Sequence, residues 1–201
     1  MRARDMSKII GGPSLSSSIS ISNQQEPAFK GVLDFWFGLG FNKWFGPTDT
    51  ALDNKIKNKF GHLIEESKAG KLKPWRSSAK GRLAEIIVLD QFSRQVFRGK
   101  KEAFAQDELA LSLTLEGVKL KQDQELNATE KMFFYLPIEH AENAELHTKY
   151  QYLFEGIGGG VLQYFMDHKK VCAQFGRYPS RNATLGRQST DEELMFMKSH
   201  K

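Results

Sequence analysis

Cysteine is almost absent. Cys172 is the only one in 201 residues, so an intrachain disulfide framework is excluded. No stretch approaches the ~18–20 apolar residues of a membrane span, and none has the apolar run of a secretory signal. No segment alternates apolar and polar residues between turn signals, so a β-hairpin architecture has no support. Charge of one sign is also scarce in most of the chain. The formal charge of +5 comes from 29 basic and 24 acidic residues, yet residues 28–167 carry nineteen of each. The surplus lies in residues 168–201, with seven basic against three acidic, and in a net +1 over 1–27. A basic stripe for a nucleic acid is therefore missing, and Lys55, Lys57 and Lys59 alternate around a helix instead of lining it. The expectation is a cytoplasmic protein with neither nucleic acid nor membrane as partner.

What is present is material for a core: 40% hydrophobic residues, including fifteen Phe and three Trp. Residues 1–27 read as a disordered, Ser-rich leader. Arg2, Arg4 and Lys8 make it a weak match to an organellar transit peptide, against which Asp5 argues. Residues 28–201 read as a single all-helical domain. A first helix is expected over Phe29–Phe37. A second runs from Thr48 or Asp49 to about Gly70, with Leu52, Ile56, Phe60 and Leu63 at helical spacing. The most apolar helix is expected from Leu83 to Phe97, and another over Glu102–Leu120. Asn127 and Glu130 form a capping box, after which Pro137 should break or kink the segment. Helices over Pro137–Phe154 and Val161–Phe175 follow, the latter ending at Gly176. Thr190 and Glu193 open a last short helix to Lys198. The fold class is all-α, with seven or eight helices joined by short links.

Three clusters put ionisable residues on apolar helices. Asp90, Arg94 and Arg98 recur at i, i+4 and i+8, an orientation that favours pairing. A charge buried there must be paired, either as an internal tie or as a pocket wall where arginine forks grip an anion. One acid for two arginines leaves positive charge to spare. The second cluster is Glu139, His140 and Glu142, with His147 and His168 further along. These groups are potential metal ligands, but no paired-histidine spacing of a known metal motif is present, so no metal and no cofactor is expected. The acids more simply serve as counter-charges for arginines. The third cluster is Gly176-Arg177-Tyr178-Pro179-Ser180-Arg181-Asn182 with Arg187, a rigid turn. Its Arg177 and Arg181 either bind an anion or pair with Glu139 and Glu142. Cys172 reads as a buried structural thiol, with His168 one turn back as the sole hint of activation.

Four segments carry a family resemblance: Val32-Leu33-Asp34-Phe35-Trp36-Phe37-Gly38, Asp90-Gln91-Phe92-Ser93-Arg94, Leu136-Pro137-Ile138-Glu139-His140-Ala141-Glu142, and Phe175 through Asn182. Together, and in this order, they resemble the family catalogued as domain of unknown function 924. That family is all-helical and similar to tetratricopeptide-repeat proteins. The resemblance implies a superhelical stack and matching motif positions at Asp90, Gln91, Phe92, Arg94, Arg98, Glu139, His140, Glu142, His168, Gly176, Arg177, Arg181 and Asn182. It implies no reaction. Ser93, Gln95, Ala141 and Ser180 depart from the residues usual in the family, and the last two remove a hydroxyl and an imidazole.

Two functions follow as expectations. In the first, Asp90, Gln91, Arg94, Arg98, Glu142, Arg177, Arg181 and Asn182 surround a small anionic metabolite, with Glu139, His140 and His168 as acid–base candidates. In the second, the chain is a scaffold that binds a protein partner, and the clusters are ion-pair ties inside a helical stack. No reaction is assigned.

Overall fold

The structure, a computed structural model, describes residues 28–199. The leader expected over residues 1–27 lies outside the described residues. Among those described, eight longer helices are joined by short links, several of which hold a single helical turn, and no strand occurs. They are α1 (Ala28–Leu39), α2 (Thr50–Lys68), α3, α4 (Asp107–Lys119), α5 (Ala128–His140), α6 (Ala144–Glu155), α7 (Gly159–Phe175) and α8 (Asp191–Ser199). Helix α3 is compound: Ala79–Ile86 leads without a break into a π-helical turn, Ile87–Phe92, and then Ser93–Val96. None of these helices is long and apolar enough to cross a membrane.

The sequence signals act where expected at several ends. Asp49 caps α2 by accepting from the Leu52 amide at 3.0 Å. The Asn127–Glu130 box closes both ways at the start of α5, and Gly176 ends α7 in the left-handed region at φ 68°. Helix α3 starts earlier than its apolar run indicated, because Ser78 caps it at the Gly81 amide. Arg82, in that extension, and Glu85 are both buried. Glu85 accepts from Arg76 and Ser67, and Arg82 donates to Glu116, so both charges are matched.

Pro137 does not break its segment. Helix α5 runs through it to His140, and the break falls at Ala141, where the backbone turns extended before Asn143 caps α6. Pro137 has no N–H for the carbonyl of Phe133 four residues back, and Thr114 donates to the next carbonyl, that of Phe134, at 2.9 Å. From α2 to α7 consecutive helices pack on one another, while α1 lies on α3 and α8 meets the turn at Pro179–Arg181. This order is compatible with a tetratricopeptide-like stack. The core is one apolar cluster in which Trp36 meets Phe92 and Phe133 edge to face, at centroid distances of 5.7 and 5.4 Å.

Close packing generates one prediction. A Cβ at Gly117 on α4 would sit 2.5 Å from Phe134 Cζ and 2.7 Å from Arg82 Cδ. Gly117→Ala is expected to destabilise the fold by ~1–3 kcal/mol despite its better helix propensity, measured by urea unfolding. A more stable variant would show that this α4–α5 contact is loose.

Candidate functional site

The site grows from the π turn of α3. A π turn widens the helix and re-aims the side chains around it, and here it carries Asp90, which is fully enclosed. Its Oδ1 lies 2.7 Å from His140 Nδ1 at the end of α5 and 2.9 Å from an Arg94 guanidinium nitrogen. Gln91 donates to Oδ2 at 2.5 Å. Burial alone would push this carboxyl up, but Arg94 and His140 outweigh it and hold Asp90 below the usual carboxylate range. Burial pulls His140 down to about 4, against the opposing pull of Asp90. The imidazole is therefore neutral near pH 7, with its Nδ1 hydrogen on Asp90 and Nε2 left as an acceptor.

Asp107, at the start of α4, completes the charge balance. Its Oδ2 accepts from Arg94 at 3.0 Å and from Arg181 at 3.2 Å. Burial, followed by Asp90, pushes the Asp107 carboxyl up, while the two arginines oppose that. Arg181 lies over the rings of Phe104 and Tyr178, each 4.8 Å away. The surplus positive charge inferred from Asp90, Arg94 and Arg98 is thus absent, since two arginines meet two aspartates. Arg98 is elsewhere. Helix α3 ends at Val96, so Arg98 swings to α2 and grips Asp53 with contacts of 2.7 and 2.9 Å.

The C-terminal turn is a strap tied by ion pairs, but with other partners than Arg177–Glu139 or Arg181–Glu142. Arg187 grips Glu142 at 2.5 and 2.9 Å, and the Tyr178 amide donates to the same carboxylate at 2.8 Å. Arg177 grips Glu193 at 2.7 and 2.9 Å. Asn182 joins them, donating to Glu193 at 3.1 Å and accepting from Arg187 at 3.0 Å. The Tyr178 hydroxyl donates to the carbonyl of Glu139.

Glu139 itself has been left out of these pairs. It is 4% exposed, and its carboxylate has no hydrogen-bond partner among the described residues. Its Oε1 lies 3.5 Å from His168 Nδ1. That nitrogen is 2.9 Å from the carbonyl of Tyr164, which can only accept, so its hydrogen is committed there. Burial, then the neighbouring Asp90, pushes Glu139 up to about 8. Burial lowers His168 as well. The carboxyl lines a cavity of about 260 Å³ whose other walls are Phe41, Phe45, Met132, Leu136, Gly160, Val161 and Tyr164.

Among the described residues, no group of three or more His, Cys, Asp or Glu is arranged to hold a metal ion. Cys172 is buried, and burial pushes its thiol up, which suits a packed structural role. Of the residues singled out in sequence, Asp90, Gln91, Arg94, His140 and Arg181 converge on one network, while Glu142, Arg177 and Asn182 close the strap. Glu139 and His168 meet beside the cavity. Asp107 carried no local signal, because Arg181 lies 74 residues away. Phe41 and Phe45 form the aromatic part of the cavity wall.

Two outcomes follow. Arg94→Ala leaves Asp90 and Asp107 short of a counter-charge and should cost ~3 kcal/mol in urea unfolding, whereas Arg98→Ala, in a more exposed pair, should cost under ~1 kcal/mol. Equal losses would contradict this division. Glu139 has a folded value raised from 4.5 to about 8. The folded state then holds a proton that the unfolded chain gives up, so stability falls as pH rises between those values. Glu139→Gln stays neutral throughout. Its melting temperature should exceed that of the parent at pH 9, with the gap closing towards pH 5.

Similarity to known proteins agrees with the four sequence segments. The chain resembles a solved structure of a protein of unknown function from Agrobacterium tumefaciens with 33% identity, covering 85% of this chain and 97% of that one, at a TM-score of 0.81. No curated protein matches it. Residues 32–201 match the family described as "Bacterial protein of unknown function (DUF924)". The chain belongs to this DUF924 family.

Proposed function

We propose that this protein binds a small, largely apolar molecule in the cavity beside Glu139, with Glu139 as the recognition group. The observation that carries the reading is the buried carboxyl without a hydrogen-bond partner, lining a cavity of about 260 Å³ that is otherwise apolar. A concave apolar pocket with one polar group of perturbed pKa has the composition of a ligand site. The polar network behind it, Asp90–His140 and Arg94–Asp107–Arg181, braces α5 and so holds Glu139 in place. The arginines expected to grip an anion are engaged by carboxylates, which argues for their role as ties. A lone, buried thiol at Cys172 is in keeping with a reducing cytoplasm.

A scaffold function has its own support. Phe41 is 64% and Tyr164 60% exposed beside this cavity, and an apolar side chain of a protein partner would fit between such rings. Size separates the two readings. The uncharged dye Nile red should bind once per chain with enhanced fluorescence, and Val161→Trp, which fills the cavity, should abolish the signal at an unchanged melting temperature. Undiminished dye binding in that variant would place the apolar site elsewhere.

A further inference from the structure

We infer that the occupant of this cavity is an organic cation, an ammonium group on a compact apolar body. The inference rests on the pocket reading above and assigns the charge of its ligand. Three observations point the same way. Among the described residues lining the cavity, Glu139 is the one with an acidic or basic side chain, and no Lys, Arg or His is among them. The two histidines beside that carboxyl are engaged elsewhere. His168 gives its Nδ1 hydrogen to Tyr164, and His140 gives its own to Asp90. The mouth is aromatic: Phe41 and Phe45 are 5.0 Å apart between centroids, and Tyr164 lies 6.4 Å from Phe45.

An anion would find no cationic side chain among the described residues of the lining, and Arg94 and Arg181 are both paired with Asp107. An uncharged hydrocarbon would leave the carboxyl buried without a partner, which is costly. A cation supplies the missing counter-charge to Glu139 and the partner that electron-rich ring faces attract.

The surroundings of Glu139 set the pH dependence. Asp90 on α3 repels its negative form, while His140 on α5 and His168 on α7 are held neutral by burial. The Tyr178 hydroxyl engages only its backbone carbonyl, and Tyr164 on α7 is a phenol at the rim. Without ligand the carboxyl therefore keeps its proton up to about pH 8. A bound cation displaces that proton, so affinity should rise with pH until Glu139 is ionised.

The test uses three probes with one ring and different charge: benzyltrimethylammonium, benzyl alcohol and benzoate, titrated calorimetrically into the full chain at pH 7 and pH 9. The cation should bind best, tighten about tenfold between the two pH values and release a proton at pH 7. Glu139→Gln should erase both the preference and the pH effect while still taking up benzyl alcohol. Phe41→Leu should weaken the cation several-fold and leave the alcohol unchanged, which keeps the test open if the Gln variant folds poorly. Equal affinity for cation and alcohol, or a Kd independent of pH, overturns the inference and leaves the pocket intact. Tightest binding of benzoate overturns it in favour of an anion site. Failure of all three, together with Nile red, overturns the pocket itself.

Discussion

The network that joins the middle of this fold to its C-terminal strap follows from the cost of enclosing one carboxylate. Asp90 sits on a π turn in the most deeply buried helix, where an unpaired charge would be untenable. Satisfying it recruits His140 from α5 and Arg94 from the next turn. Arg94 in turn recruits Asp107 from α4, and Asp107 recruits Arg181 from the C-terminal strap. One burial thus ties four stretches of chain that are far apart in sequence. Apolar packing alone would tolerate small slides between these helices. The directional contacts set a single arrangement, in which the end of α5 points towards α7.

The candidate site is a by-product of that arrangement. Charge within the network is balanced, so neither Arg94 nor Arg181 is left without a counter-charge. The strap is satisfied by Glu142 and Glu193. Glu139, next to His140 on α5, falls just outside both networks and faces an apolar hollow between α5, α7 and the aromatic segment 41–45. Its protonation is governed by desolvation, with Asp90 adding repulsion from behind. A residue kept neutral by its surroundings, at the wall of a small cavity, is poised to respond to whatever enters.

Much of the architecture was legible because helices announce themselves locally. Spacings of three and four placed α2, and the Asn127 and Thr190 boxes placed the starts of α5 and α8. Errors occurred where a rule of local chemistry met tertiary context. Pro137 sits inside α5, and the chain breaks instead at Ala141, before Asn143 caps α6. Arg98 left the row begun by Asp90 because the helix ended two residues before it. Its neighbour Arg94 stayed in register and paired as the spacing foretold.

By itself the sequence determined the helical class, most helix ends and the set of ionisable residues that had to be paired inside, because capping, periodicity and desolvation act within a few residues. Which acid meets which base was decided only by the tertiary structure. Asp107 with Arg181, Glu142 with Arg187 and the open cavity beside Glu139 depend on contacts between segments tens of residues apart. Coulomb attraction says that opposite charges pair, but only packing decides which of them come within reach.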